Sequence, residues 1–439
     1  MARAANTKKK DSPPKPDGIT RISVSGFKSI ADEQSIEVRP LTILAGANSS
    51  GKSSIMQPLL LLKQTLEATY DPGALLLNGP NVKFTSAEQF LSYAGHGKRT
   101  NVFSVSIETS DEGSLTTYFI KPLGKPIEVQ RSVYVKGKPG DQVRSDITPD
   151  YVRNLPHEMF EVTAIRDRFL LGDYLKRRGD SSGLKDIVIT LGKVIEPYIH
   201  ETIHIPGLRG NPERTYAVAA VGSTFPGTFE NYVASIIAKW QADNDNDNLQ
   251  AVSQDLNELC LTSKVSAIPL NDTQVELQVA RMPQGTKGKG DMVSIADVGF
   301  GVSQTLPVVV ALREAKPGQL VYLEQPEIHL HPRAQTAMAK VLADAAVRGV
   351  HVVAETHSAL LILGVQTLVA EGKLAPELVK LHWFERRDGV TKVRSADLDE
   401  AGSFGDWPED FADVELEAQS KYLDAVEART AQRKRRRAG

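Results

Sequence analysis

The segment Leu41–Ser54, LTILAGANSSGKSS, decides the fold of this chain of 439 residues. The apolar run LTILA predicts a buried strand, and the stretch GANSSGKS (Gly46–Ser53) leads into an apolar helical pattern. Glycines in such a loop let successive backbone N–H groups point inward, where they and the helix N-terminus hold phosphate. The pattern predicts a phosphate-binding loop, with Lys52 at the β- and γ-phosphates and Ser53 on Mg²⁺. The candidate nucleotide-binding residues are Gly46, Asn48, Ser49, Ser50, Gly51, Lys52, Ser53 and Ser54.

A second apolar run, in LVYLEQPEIHLHP from Leu320, ends in acidic residues. It predicts a strand whose tip presents Glu324 as a Mg²⁺ ligand, directly or through water. The next residue is Gln325, where an acidic residue would activate the attacking water, and an amide cannot accept a proton. Glu327 follows Pro326, where we expect the chain to have turned. Glu355 ends the next strand and is the better candidate for base or orienter, with Gln325 positioning the water by hydrogen bonds.

Two further motifs complete the set. DVGFGVSQ is a glycine turn before an apolar segment, and its candidate phosphate-binding residues are Gly301, Ser303 and Gln304. A plain helix cap is the alternative there, and Val308–Val310 also fits a buried strand. ETHS ends an apolar strand and presents His357 to the γ-phosphate, unless that histidine is an ordinary loop residue.

Two other patterns suggest metal sites but have simpler interpretations. In HLHP, His331 precedes Pro332, which we expect to begin a helix. DNDNDN (243–248) lacks the glycine and closing glutamate of a calcium loop, so we interpret it as a connection between helices.

The composition and charge of the chain limit the classes of protein that it can belong to. The net charge is −2, but residues 1–17 and 428–439 are basic and poor in apolar residues, which predicts disorder. These tails serve solubility or contact nucleic-acid phosphates. The single cysteine, Cys260, excludes a disulfide within one chain, and the sequence shows no signal peptide or membrane span. We expect a cytoplasmic protein.

The order GFKSI, GANSSGKS, GFGVSQ, EQPEIHLHP and ETHS resembles the ABC-type ATPase heads of the SMC, RecF and OLD group, often described as AAA ATPases. The resemblance implies an α/β P-loop NTPase fold of ABC-ATPase type, with a mixed sheet and flanking helices. It also implies ATP and Mg²⁺ as cofactors, and a head-to-head dimer with ATP between Gly46–Ser53 of one copy and GFGVSQ of the other. GSFGDWPEDF resembles a small C-terminal domain that follows one subfamily of such heads. GLRGNPERTY, around Arg209, resembles a segment of the same subfamily.

Together these patterns predict the domain organisation. We expect a disordered basic tail (1–17), an ATPase lobe with phosphate loop and antiparallel β meander (18–148), a mostly helical insertion (149–285), a second ATPase lobe with signature, magnesium strand and switch histidine (286–378), a small C-terminal domain (379–427) and a disordered basic tail (428–439).

The resemblance also implies a function. We expect a slowly hydrolysing, dimerising ATPase in DNA maintenance or anti-phage defence, which contacts DNA and works with a separately encoded effector such as a nuclease. A non-hydrolysing ATP sensor is the alternative that Gln325 supports. The ATPase subunit of a transporter is a third, disfavoured by the irregular insertion and by a signature that is not Leu-Ser-Gly-Gly-Gln.

Overall fold

The structure, a computed structural model, describes residues 18–94, 98–137, 141–150, 152–154, 160–177, 187–281 and 291–405. Both basic tails and the C-terminal part of the expected last domain lie outside these residues. No helix among the described residues has the length and apolar character needed to cross a bilayer.

Most strands occur in consecutive runs, and strands alternate singly with helices only in the C-terminal part of the described chain. The strands are β1 (Ile19–Ser25), β2 (Gln34–Glu37), β3 (Leu41–Gly46), β4 (Tyr93–Ala94), β5 (Lys98–Arg99), β6 (Val102–Thr109), β7 (Gly113–Ile120), β8 (Glu128–Lys136), β9 (Val143–Ile147), β10 (Val152–Asn154), β11 (Phe160–Asp167), β12 (Leu170–Arg177), β13 (Ile187–Ile189), β14 (Ile203–Ile205), β15 (Tyr216–Ala217), β16 (Val265–Asn271), β17 (Gln274–Ala280), β18 (Met292–Ser294), β19 (Leu320–Glu324), β20 (His351–Thr356), β21 (Val379–Arg387) and β22 (Val390–Ala396). The helices are α1 (Lys52–Glu67), α2 (Glu196–His200), α3 (Val233–Ala242), α4 (Asn246–Glu258), α5 (Phe300–Glu314), α6 (Pro332–Val347) and α7 (Ala359–Ala370).

A central sheet positions the expected site. Its strand order is β14-β19-β20-β3-β21-β22, and only β22 runs antiparallel to its neighbour. Every residue of β3 and β20 is buried, as expected for parallel strands covered on both faces. Because parallel strands end at the same edge, the loop after β3 and the tips of β19 and β20 lie side by side. This confirms the predicted α/β fold.

Two hydrophobic cores lie on opposite faces of this sheet. Leu44, Tyr322 and Val353 pack on one face with α1 and the antiparallel sheet β2-β1-β6-β7-β8-β9. Ile43 and Val352, on the other face, pack with α3 to α7. Side chains of a strand alternate between faces, so β3, β19, β20 and β21 each contribute to both cores.

Three parts of the chain differ from the sequence-based expectation. Residues 149–285 are not mostly helical, because they hold β10 to β17 besides α2, α3 and α4. β14 joins the central sheet from this segment, and its three residues are too few to show a pattern. Val379–Arg387 pairs with β3 and therefore belongs to the central sheet rather than to a separate domain. Val308–Val310 is helical within α5.

The two tentative metal patterns take part in helix capping. His331 is the N-cap of α6, where its Nδ1 accepts from the backbone N–H of Arg333, and Pro332 begins that helix. Asp245 caps α4 by accepting from the N–H of Asn248 at 3.1 Å.

Candidate functional site

The phosphate loop joins β3 to α1 and depends on two glycines. Gly46 and Gly51 have φ angles of 143° and 103°, where side chains are disfavoured. A Cβ at Gly46 would lie 2.3 Å from the Phe384 carbonyl oxygen, and one at Gly51 would lie 2.3 Å from Thr391 Oγ1. Both positions therefore require glycine, because strands β21 and β22 lie directly against the loop.

Lys52 lies over this loop. Its Nζ donates to the carbonyl oxygens of Gly46 and Ala47, each at 2.9 Å. Burial lowers the pKa of Lys52 to about 8, although the charges of Glu355 and Glu327 oppose the shift. An anion beside this ammonium would stabilise its charged form.

Two carboxylates lie side by side at the strand tips. Glu324 and Glu355 are register partners of β19 and β20, so their side chains share one face of the sheet. Ser53 Oγ donates to Glu355 Oε2 at 2.9 Å, and the Tyr322 hydroxyl donates to the other oxygen. Burial, and then the charge of Glu324, raises the pKa of Glu355 to about 7.

Glu324 has a different environment. The N–H of Gly207 donates to its Oε2 at 3.1 Å, and His204 Nε2 lies 3.2 Å from its Oε1. Burial alone would raise the pKa of Glu324, but the hydrogen bond and charge of His204 outweigh it, so that pKa lies below its usual value. The His204 ring also stacks on Tyr322, with centroids 5.2 Å apart. The two neighbouring carboxyl groups are thus held with opposite pKa shifts.

The chain reverses immediately after β19. Gln325 has a φ of 47°, and its N–H donates to the Glu355 carbonyl oxygen at 2.9 Å. The turn brings Glu327 back to β20, where its Oε1 accepts from Thr356 Oγ1 at 2.6 Å and from the N–H of His357 at 3.3 Å. We expected Glu327 to have turned away. The left-handed backbone at Gln325, which the sequence does not reveal, is the reason that it does not.

His357 reaches the phosphate loop. Its Nδ1 lies 2.8 Å from the Gly46 carbonyl oxygen and 3.4 Å from Lys52 Nζ. Burial, and then the Lys52 charge, lowers the pKa of His357. A neutral ring with the proton on Nδ1 donates to that carbonyl. The predicted switch histidine is therefore in direct contact with the loop.

The signature residues lie apart from this group. Gly301, Ser303 and Gln304 occupy the first two turns of α5, where Ser303 Oγ donates to the Phe300 carbonyl oxygen at 3.1 Å. None of the three lines either cleft beside the phosphate loop. Within one copy of the chain, the structure brings the other predicted residues together but not these.

Arg209 links the signature helix to the magnesium strand. Its guanidinium donates to the carbonyl oxygens of Gln304 and Glu324, each at 3.0 Å. Gln304 Nε2 in turn donates to the Gly210 carbonyl oxygen at 3.0 Å. Burial lowers the pKa of Arg209 to about 10, while the charges of Glu230, Glu327 and Glu324 oppose the shift. Sequence reasoning gave this residue no role.

Two adjoining clefts give these residues a common space. The larger has a volume of about 670 Å³, within the range of small-molecule sites, and the smaller about 440 Å³. Both are bordered by Asn48, Gln325 and His357. The larger is also lined by the phosphate loop and by the cationic side chains of Lys28, Lys52, Arg99 and Arg386. Cations and loop amides suit a polyphosphate, and the neighbouring Ser53 and Glu355 oxygens suit Mg²⁺.

Sequence comparisons match both halves of this arrangement. The model of a family described as "AAA ATPase domain" matches residues 18–138, which contain the phosphate loop. A second family, described as "AAA domain, putative AbiEii toxin, Type IV TA system", matches residues 211–363, which contain the signature, magnesium strand and switch histidine. Both matched families are described as AAA domains, which supports the resemblance to ATPase heads noted in the sequence. No curated protein matches its sequence.

Solved structures similar to this chain include SMC heads. One is an SMC head bound to the C-winged helix domain of ScpA, with 15% identity, a TM-score of 0.45 and coverage of 88% of this chain and 99% of that one. Another is the SMC head domain from Thermotoga maritima, with 10% identity, a TM-score of 0.40 and coverage of 86% and 98%. A third is the SMC head with an extended coiled coil bound to the C-terminal domain of ScpA from Pyrococcus furiosus, with 13% identity, a TM-score of 0.42 and coverage of 94% and 100%.

Proposed function

We propose that this chain binds ATP with Mg²⁺ at Gly46–Ser53 and hydrolyses it slowly. The observation that carries the proposal is the contact between Ser53 and Glu355, with Lys52 over the same loop. The contact between Ser53 and Glu355 connects the phosphate loop to a carboxylate at a strand tip, which the sequence predicted to lie nearby. Loop amides and Lys52 hold the β- and γ-phosphates, as in other P-loop ATPases.

The two carboxylates at the strand tips, Glu355 and Glu324, have different roles at the metal ion. Ser53 and Glu355 would hold Mg²⁺ between them, while Glu324, engaged by His204 and Gly207, acts through water. The ion would neutralise charge on the phosphate oxygens. The sequence-based expectation had Glu324 as the Mg²⁺ ligand, directly or through water, and Glu355 as base or orienter of the water, so the role proposed here for Glu355 is different.

Slow turnover follows from Gln325. It borders both clefts, and its amide can orient a water but cannot remove a proton. A carboxylate at position 325 would be the directly positioned base, and losing such a base without an equally well placed substitute costs up to about 10²–10⁴-fold in rate. The same residue supports the competing function, a non-hydrolysing ATP sensor.

We further propose that two copies close head to head, with ATP between the phosphate loop of one and the α5 N-terminus of the other. The separation of Ser303 from the clefts of its own chain supports this arrangement, because the signature needs a second copy to reach phosphate. A cytoplasmic role in DNA maintenance or anti-phage defence, with DNA and a separately encoded effector, rests on the resemblance of the motifs to the SMC, RecF and OLD group. A transporter subunit is the weaker alternative.

Replacement of Lys52 tests the nucleotide site. Lys52→Ala removes the mobile cation at the phosphates, so we expect ATP affinity, measured by calorimetry with Mg²⁺, to fall at least about tenfold, or about 1.4 kcal/mol. The control is Lys373→Ala, an exposed lysine after α7. Unchanged affinity in Lys52→Ala contradicts the assignment. Steady-state turnover of the wild type, with and without DNA, then separates an ATPase from a sensor.

A further inference from the structure

A buried carboxylate oxygen has no hydrogen-bond partner in the part of the chain that the structure describes. Glu327 is only 6% exposed, and its Oε1 is fixed by Thr356 Oγ1 and the His357 N–H. Its Oε2 receives no donor from those residues. Burial of an unpaired acceptor costs about 1–3 kcal/mol, more when it is charged, so such an oxygen needs an explanation.

The position of Glu327 at the edge of the cleft offers an explanation for its unpaired oxygen. It borders the smaller cleft together with Asn48, Gln325 and His357. Its charge also acts on Lys52, the cation expected at the γ-phosphate. Glu327 therefore lies beside the cleft next to Gln325, the amide that replaces the usual base, and its Oε2 is enclosed by the surrounding residues.

The charges around Glu327 suit a proton acceptor. Burial raises its pKa above the usual value, and the hydrogen bonds from Thr356 and the His357 N–H, and last the charge of Arg209, oppose that shift. Removal from water strengthens a carboxylate as a base, and a nearby cation limits the rise of its pKa.

Glu355 is less suited to this task. Both of its oxygens already accept hydrogen bonds, one from Ser53 and one from Tyr322. Its contact with Ser53 places it on the magnesium side of the site. Of the two acidic residues considered as substitutes for a base at position 325, Glu327 alone has an unengaged oxygen.

We propose that Glu327 is the general base of ATP hydrolysis in this chain, an inference that rests on the proposed ATPase function. Once local movement opens Oε2 to the cleft, this oxygen accepts a proton from water while the water oxygen bonds to the γ-phosphorus. The bond from that phosphorus to the β–γ bridging oxygen breaks, and its electron pair leaves with ADP. Inorganic phosphate is the other product, and Glu327 returns its proton to solvent. Gln325 orients the water, and the fixed Oε1 holds the carboxylate in place.

An isosteric substitution tests the assignment. Glu327→Gln keeps an acceptor for Thr356 and removes the basic oxygen, so we expect single-turnover hydrolysis to slow at least about 100-fold. ATP affinity should stay within about threefold, a change worth less than 1 kcal/mol. The double variant Gln325→Glu with Glu327→Gln restores a carboxylate at nearby position 325. Its hydrolysis rate should exceed that of Glu327→Gln by at least about tenfold. Glu371→Gln, on the surface, is the control.

The outcomes are distinct. Glu327→Gln that hydrolyses at the wild-type rate overturns the assignment and leaves the ATPase function intact. A wild type that binds ATP without turnover overturns it too and favours the sensor. Lys52→Ala with unchanged ATP affinity defeats the proposed function itself. If Glu327→Gln fails to fold, the hydrolysis rate of Glu327→Asp tests the assignment instead. The shorter side chain moves the carboxylate away from the water, so a folded Glu327→Asp enzyme should be at least about tenfold slower.

Discussion

At the scale of single residues, the site depends on two neighbouring carboxyl groups in different surroundings. Glu324 is stabilised as an anion by His204 and the Gly207 N–H, whereas burial makes ionisation of Glu355 costly until a cation is near. Mg²⁺ beside Ser53 would supply that cation. We therefore expect ionisation of Glu355 to be coupled to occupation of the site by Mg²⁺.

Glu355→Gln tests this coupling. The amide retains a hydrogen bond with Ser53 but loses the charge, so we expect half-saturation by Mg²⁺ to require at least about tenfold more ion, about 1.4 kcal/mol. Turnover should be lost, while ATP binding at high Mg²⁺ persists. The measurement is a Mg²⁺ titration of ATP binding and hydrolysis, with Glu371→Gln alongside. An unchanged titration curve would remove Glu355 from the metal site.

At the scale of elements, Arg209 fastens helix α5 to the end of strand β19. It donates to carbonyl oxygens of both, from a segment that also supplies Gly210 to Gln304. The signature helix and the magnesium strand are thus held in one relative position by a buried cation. A shift of either element requires these hydrogen bonds to break.

Arg209→Ala measures the strength of this link. It leaves the carbonyl groups of Gln304 and Glu324 with fewer donors and three acidic neighbours without their cation, so we expect a loss of about 3 kcal/mol in the free energy of unfolding. Urea denaturation measures it. The matched control is Arg214→Ala, whose exposed pair with Asp297 should contribute about 1 kcal/mol or less. Equal losses in the two variants would mean that Arg209 is not such a link.

Sequence patterns predicted the elements that carry long, uniform signals. β3, α1, β19, α6 and β20 each follow their predicted runs, and the neighbouring tips of β19 and β20 were expected from the parallel sheet. Position along a strand also placed Glu355 beside Glu324. What the sequence could not show depends on backbone turns and very short strands. The return of Glu327 requires the left-handed Gln325, and the roles of His204 and Arg209 follow from three-residue β14 at the edge of the sheet.

At the scale of the whole molecule, the clefts are lined by only some of the residues expected to surround the nucleotide. The phosphate loop and His357 line them, whereas the signature residues of the same copy do not. A second copy in the opposite orientation would bring its α5 N-terminus to the exposed side of the γ-phosphate. Association should therefore respond to the third phosphate.

ATP, but not ADP, is expected to bring two heads together. Ser303→Arg should block this by adding bulk to the first turns of α5, while Thr367→Arg on the surface of α7 should not. Cross-linking between cysteines at Ser303 and near Lys52 of the partner copy, in a Cys260→Ser background, reports contact even when another surface already joins the chains. Equal cross-linking with ATP, ADP and no nucleotide would contradict the arrangement.

The order of strands in the central sheet also governs how the chain acquires its structure during synthesis. β3 is made early, yet both of its sheet neighbours, β20 and β21, lie about 300 residues further along the chain. Until they leave the ribosome, Gly46 lacks the Phe384 backbone against which it packs, and Glu355 is not there to meet Ser53. Such distant pairing slows folding and prolongs exposure of apolar strands to aggregation. Nascent chains released before β21 would leave the loop without one wall, so we expect the proposed ATP site to be complete only after β21 has been translated.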